Sequence, residues 1–431
     1  MVQPSASPTP LIASRSPWLR GPVRLPGDPG LSALALLLAG LGRGQSRLAN
    51  LSHSAETAVM LAALGRLGVP VEQEEGACRV HGLGGVLAPD GPIDLSGAGG
   101  GAGLLLGLLA AQDFETMFTH LDLTPGIESL LMFLAANGVK IGVADGGIAV
   151  RGPRFAVPLD LALGPGGEAL VLPLLLNAAT AIGTSSLKLP AGFRDPAVDL
   201  LGRFGARLQS APVERDLQFT LEGLPELQAQ ELTIPGDARL AAFPTVAALI
   251  APNSEVTIPD VALAPANLGP LEALMLMGAN ISYGVPEHGV AELTVRQGPL
   301  HGATIPATLP LLPDDYPILT IAAAFAEGET LFEGLGEGAR RLAITRALRD
   351  NGVDCIEQPH GLRVRGHPRV PGGGNIAARL DPRLAMAFLV LGLATDKPVS
   401  IEDGSVIDDL FPDFAGAFEH VGASLVPGPA A

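Results

Sequence analysis

Apolar and polar positions along this chain fall into one pattern written six times. Each copy reads as an apolar helix, a glycine, a Val or Ala, and an apolar strand. The copies are LAALGRLGVPVE (61–72), LMFLAANGVKI (131–141), LLGRFGARL (200–208), LEALMLMGANI (271–281), ITRALRDNGVDC (344–355) and FEHVGASL (418–425). Their glycines, Gly68, Gly138, Gly205, Gly278, Gly352 and Gly422, are spaced by 70, 67, 73, 74 and 70 residues. Each marks a helix end, because only glycine enters the left-handed C-terminal turn without a Cβ clash. Near-constant spacing over six copies is the signature of internal duplication.

A second apolar helix precedes each copy, as in LLLAGLGRGQSRLANL, LLGLLAAQDFETMFTHL and LLLNAATAIGTSSLKL. It is Ala- and Leu-rich all round and runs through a small turn into a strand. An all-round apolar helix is a buried one. The repeat is therefore a βαβαββ-type unit of about 70 residues, longer than ordinary solenoid repeats. The fold class is α/β (α+β), with helices buried beneath sheets.

The turn Arg24-Leu-Pro-Gly-Asp28 precedes one buried helix, and Ile234-Pro-Gly-Asp237 precedes another half a chain later. The chain thus divides into two similar halves of three repeats each, and the cleft between such halves is the expected ligand site. A Pro-Gly-Asp turn has two readings. Asp28 and Asp237 can cap the helices, or the free N–H groups of the helix start can cradle a phosphate. The start, MVQPSASPTPLIASRSPW, reads as a loose arm anchored by Trp18, and it lacks the apolar core of a secretory signal.

Composition narrows the function. Apolar residues make up 47% against 4% aromatics, so the core is aliphatic. A formal charge of −17 argues against nucleic acid or an anionic membrane as partner. The longest uncharged runs, 95–112 and 169–187, fit the repeat as helices inside a globule. Cys78 and Cys355 lie on predicted strands and read as small buried hydrophobes. The eight histidines, His53, His81, His120, His288, His301, His360, His367 and His420, show no metal-ligand spacing. No metal and no cofactor are expected, and the expected location is the cytoplasm.

The double three-repeat plan and both Pro-Gly-Asp turns resemble the enolpyruvyl transferases, in particular those of the 5-enolpyruvylshikimate-3-phosphate synthase type. The matching stretches include ALLLAGLGRGQSRLANLSHSAET, AFAEGETLFEGL (324–335), RLAMAF (383–388) and LFPDF (410–414), and the similarity runs from Val23 to Leu425. The resemblance implies a two-domain inverse α/β fold. One domain is expected at 22–233, and 1–21 plus 234–431 form the other. It also implies the substrates phosphoenolpyruvate and shikimate 3-phosphate, whose buried charges need cationic partners.

Set against the family's motifs, most of those partners are replaced. In the motif Pro-Gly-Asp-Lys-Ser the Lys, the Ser and the later Arg fall on Pro29, Gly30 and Leu34. The Asn-Ala-Gly-Thr motif falls on Gly97 to Gly100, with Gly103 in place of its Arg, although Gly99 keeps a backbone able to approach an anion. The Arg-Pro-Met segment falls on Pro125, Gly126 and Ile127, and Ser-Ser-Gln falls on Gly166, Gly167 and Glu168. In the second half, Asp314 of LPDDYPIL matches the family's catalytic Asp, with Asp315 beside it. Arg340 and Arg383 are kept, while the Lys positions fall on Gly336 and Asp409. The three lysines, Lys140, Lys188 and Lys397, match no family site.

The resulting site candidates are Asp314 as catalytic residue, and Arg340, Arg383, Gly99 and Asp28 for substrate. Asp314 and Asp315 have a second reading as caps of the helix that starts near Pro317. The leading functional expectation is a family member whose synthase reaction is weakened or lost, a pseudoenzyme or a binder of a less charged small ligand. The alternative is a working 3-phosphoshikimate 1-carboxyvinyltransferase that uses phosphoenolpyruvate and shikimate 3-phosphate, with other arginines such as Arg24 moved into the cleft. A UDP-sugar-type transferase usually carries a reactive Cys that the loop at 113–126 lacks, and the acidic charge argues against an RNA-phosphate cyclase.

Overall fold

The computed structural model describes residues 9–144, 146–164, 166–190, 193, 195–377 and 381–429. The first eight residues of the expected arm therefore lie outside the described residues. Contacts divide the chain into two units, one of residues 27–234 and one that joins the N-terminal residues through Pro26 to 235–431.

The helices follow the repeat. In the 27–234 unit they are α1 (Pro29–Leu41), α2 (Ala55–Arg66), α3 (Gly101–Leu109), α4 (Pro125–Ala136), α5 (Val171–Ala178) and α6 (Pro196–Arg203). In the other unit they are α7 (Ala242–Ile250), α8 (Gly269–Leu276), α9 (Tyr316–Ala324), α10 (Ala339–Asp350), α11 (Pro382–Gly392) and α12 (Phe414–His420). The odd-numbered helices are the all-apolar ones and are buried almost end to end. The even-numbered ones turn a single face inward, as Leu130 and Leu134 do in α4. All six marker glycines follow even-numbered helices with positive φ, between +77° and +102°.

Each repeat carries a sheet whose first strand is parallel to its neighbour and whose last two are antiparallel. In the second repeat, Ile93–Asp94 lies parallel to Glu115–Thr119, which pairs antiparallel with Gly147–Arg151, and Lys140–Ala144 completes the edge. The same order recurs at 160–162, 184–190, 216–222 and 208–213.

Three sheets take a strand from a distance: Arg20–Pro22 lies parallel to Glu255–Thr257 in the fourth repeat, and in the first and sixth repeats such a strand closes each unit on itself. Glu231–Thr233, the end of the 27–234 unit, is the parallel edge strand of the first repeat, against Arg47–Ala49. In the sixth repeat the missing strand is Leu11–Ser14. It inserts between Val399–Ile401 and Ser424–Pro427, with Ala13 opposite both Val399 and Leu425. This corrects the loose-arm expectation for the described part of the arm. The alternation in LIAS puts Ala13 into the core, and the unpaired edges of the sixth sheet need a strand to satisfy their backbone groups. Trp18 does anchor the segment, since a Cβ on Gly422 would meet its ring at 2.6 Å. Cys78 and Cys355 are buried, as expected. Among the described residues no helix is long and apolar enough to cross a membrane.

Candidate active site

Helices α7, α9 and α11 pack on one another, and ion pairs tie their N-terminal ends together. The local sequence sets each end. Asp381-Pro382 starts α11, with the proline at a position where its missing N–H costs nothing and the Asp381 carboxylate accepting from Leu384 N at 3.1 Å. Before α7, Asp237 Oδ1 accepts from Arg239 N at 2.8 Å. At α9 the second, capping reading is not met. Asp315 precedes the helix without capping it, and its Oδ2 reaches back to Leu312 N at 2.7 Å.

Asp315 is instead the buried centre of a charge chain. Its carboxylate is paired with the Arg239 guanidinium, and Arg383 Nη1 lies 3.8 Å from its other oxygen. Arg239 also donates to Asn267 Oδ1 and to the Pro310 carbonyl, each at 3.2 Å, and to the Ala266 carbonyl. Arg383 Nε lies 3.9 Å from Asp314. Arg340 bridges Asp314 and Asp381, at 3.0 Å to each. Asp237 is buried beside the same arginines. Three guanidinium groups and four carboxylates thus converge in one unit.

The environment separates the two adjacent aspartates. Asp315 is 1% exposed and Asp314 is 48% exposed. Burial pushes the Asp315 carboxyl above the usual carboxylate range, against the opposing pull of Arg239. Asp237 is raised by burial too, against Arg383 and Arg239. Asp315 and Arg239 are therefore walled in, whereas Asp314 is a reachable carboxylate held between two arginines. Such an arrangement presents cations to an incoming anion and a carboxylate to a proton. The helix N-termini beneath it add a favourable potential for negative charge.

Among the described residues, the other unit has no such cluster at its helix starts. Asp28 caps α1, with its Oδ1 2.9 Å from Leu31 N. At the start of α3, Gly101 N donates to Glu56 Oε1 at 2.7 Å. Gly99 sits at φ +51°, and a Cβ there would meet Glu56 Oε2 at 3.1 Å. The glycine loop that keeps a backbone open to an anion therefore already faces a carboxylate of its own chain. Beside it is a cavity of about 290 Å³, lined by Gly100, Gly103, Ile127 and Pro173, with Asp122 as its one ionisable side chain among the described residues.

Of the five sequence candidates, the structure brings Asp314, Arg340 and Arg383 together, while Asp28 and Gly99 belong to the other unit. Arg24 stands with exposed Asp260 at 3.8 Å, outside the cluster. Arg341, next to Arg340, is buried, with Nη1 3.0 Å from the Gln358 carbonyl. Sequence reasoning missed Arg239 and Glu56. One signal for Arg239 was available. Asp-x-Arg occurs at 237–239 and again at 381–383, each time at the start of a buried helix. Glu56 carried no signal, because its partner lies 45 residues away. Among the described residues no group of three or more His, Cys, Asp and Glu side chains is placed to hold a metal ion.

Two closed three-repeat units with buried helices define the class as an enolpyruvyl-transferase-type fold. Solved structures agree. EPSP synthase from Acinetobacter baumannii superposes with a TM-score of 0.79 at 25% identity, covering 98% of this chain and 100% of that one. The enolpyruvyl transferase NikO from Streptomyces tendae, at 20% identity and TM-score 0.72 over 99% of this chain and 100% of that one, shares the fold. The sequence model of the EPSP synthase (3-phosphoshikimate 1-carboxyvinyltransferase) family matches residues 14–418. Proteins named 3-phosphoshikimate 1-carboxyvinyltransferase match throughout. The one from Chelativorans sp. is 34% identical, covering 96% of this chain and 97% of its own length. That from Mesorhizobium japonicum is 35% identical over 98% and 99%. The chain belongs to the EPSP synthase family.

Proposed function

We propose that this chain transfers the enolpyruvyl group of phosphoenolpyruvate to shikimate 3-phosphate, a cytoplasmic step of aromatic amino-acid biosynthesis. The two units act as two domains in this reading, divided near residues 22–27 and 234. The observation that carries it is the half-exposed Asp314 held between Arg340 and Arg383. The naming of full-length relatives supports it. In the transfer, a bond forms between the acceptor hydroxyl oxygen and the vinyl carbon. The bond from that carbon to the phosphate oxygen breaks, and inorganic phosphate leaves. Moving protons on and off the methylene carbon needs one acid–base group, and Asp314 takes that role. Arg340 and Arg383 meet substrate anions, while Arg239 and Asp315 hold the arginine layer in place.

A second reading, in which the reaction is weakened or lost and a less charged ligand is bound, has one specific observation in its favour. The α3 helix start faces Glu56, and among the described residues the adjoining cavity has no Lys or Arg in its lining. A carboxylate beside an incoming phosphate repels it.

Phosphate release from purified full-length protein, given both substrates, decides between them. Turnover that falls about 100-fold or more in Asp314→Asn is the expected result. Absence of turnover, with no thermal shift from either substrate, sinks the proposal and leaves the second reading.

A further inference from the structure

A second cavity lies at the far end of the 27–234 unit from Asp28 and Gly99. It opens where the buried helices finish, among Leu41 of α1, Ala111 beyond α3 and Ala179 beyond α5, and its volume is about 650 Å³. That is within the usual range for small-molecule sites. Leu38, Leu108, Leu176 and Leu201 form an aliphatic floor. Large apolar side chains stand exposed at its walls, with Phe155 at 65% and Ile182 at 65%.

The charges around it are uneven. Asp113 is held by Arg151 at 2.9 Å. Two guanidinium groups on the wall, those of Arg43 and Arg154, have no carboxylate partner among the described residues. Arg154 instead lies over the Phe155 ring, 5.5 Å from its centroid. Glu226 is the wall's one other carboxylate among the described residues. The carbonyls of the helix ends are already used. Leu38 O accepts from Gly42 N, Gln112 O from Gly152 N, and Ala179 O from Leu224 N. The wall therefore offers a greasy interior and two cations that lack a carboxylate partner among the described residues.

We propose that this cavity binds a small amphipathic anion, an apolar body carrying one carboxylate or sulfonate that pairs with Arg43 and Arg154. A neutral apolar molecule would gain nothing from the two guanidinium groups, and a polar polyanion would leave the aliphatic floor uncovered. The cavity belongs to the 27–234 unit and the Asp314 cluster to the other, so the binding test does not depend on whether enolpyruvyl transfer takes place.

The test uses the full chain and two fluorescent probes, anionic 8-anilinonaphthalene-1-sulfonate and neutral N-phenyl-1-naphthylamine. Saturable binding of one sulfonate per chain is expected. Arg43→Gln/Arg154→Gln should weaken the sulfonate at least tenfold and change the neutral probe less than twofold. Ala179→Trp, which fills the cavity, should weaken both. Near-UV circular dichroism checks that each variant is folded, and the two arginines are exposed, so their loss leaves the core intact. Equal sulfonate affinity in wild type and the double arginine variant overturns the proposal. So does a dimer that excludes both probes and dissociates on Ala179→Trp, which would give this face to a second copy.

Discussion

Replacing Arg239 by leucine removes the partner of a carboxylate that has almost no water. In the native protein the Arg239 guanidinium serves Asp315, Asn267 and the carbonyls of Ala266 and Pro310. Without it, Asp315 keeps Leu312 N at 2.7 Å and Arg383 at 3.8 Å. Breaking a buried pair from one side costs roughly 3–5 kcal/mol. For a unit of this size, each kcal/mol corresponds to about 2–4 °C in Tm. Calorimetry should therefore show the transition of the 235–431 unit falling by roughly 6–20 °C. The sign of the pH dependence follows from the raised Asp315 carboxyl. The folded state binds that proton more tightly than the unfolded chain, whose value lies near ~3.9. Stability from this group is full below that value and declines as pH rises toward the folded one. Arg239 is the main opposing pull, so its loss raises the folded value further. The variant should lose less stability at about pH 5 than at about pH 8. Arg239→Leu/Asp315→Leu should recover most of the loss, since apolar replacement of a whole buried pair is often neutral. A loss below about 1 kcal/mol at both pH values would refute the assignment of a buried, dependent pair.

Other outcomes follow from the same structure. Glu56→Gln keeps an acceptor for Gly101 N while removing its charge, so calorimetric titration should show tighter binding of phosphoenolpyruvate; unchanged binding would mean that the α3 start meets no anion. Ala13→Asp puts a carboxylate into the closed sixth sheet and should cost about 3 kcal/mol or more in urea unfolding. A cost near zero would place Leu11–Ser14 outside that sheet. Burial, with Glu74 nearby, pushes the Cys78 thiol up to about 11, and burial raises Cys355 as well. Both should resist Ellman's reagent in native protein near pH 7.5 and react on unfolding. A stoichiometric native reaction contradicts the burial.

What the sequence determined by itself was whatever depends on neighbours along the chain. Hydrophobic periodicity is local, so the all-apolar helices could be read as buried and the six repeats counted. Backbone conformation is local too, so Gly68, Gly138 and their four counterparts could be read as left-handed helix ends, and Asp28 as a cap three residues from Leu31. The resemblance carried Asp314, Arg340 and Arg383 as separate motif positions. Only the tertiary structure decided what those residues face. Arg239 meets Asp315 across 76 residues because α7 and α9 bring their N-termini to one place, and no pattern in either segment encodes that meeting. Glu56 reaches Gly101 for the same reason. Leu11–Ser14 reads as a weak tail until the sixth sheet, nearly 400 residues away, leaves a strand-shaped gap beside Val399–Ile401. Electrostatics between helix ends and pairing at sheet edges depend on distances in space. Packing of the aliphatic cores fixes those distances, and the order of residues fixes only the cores.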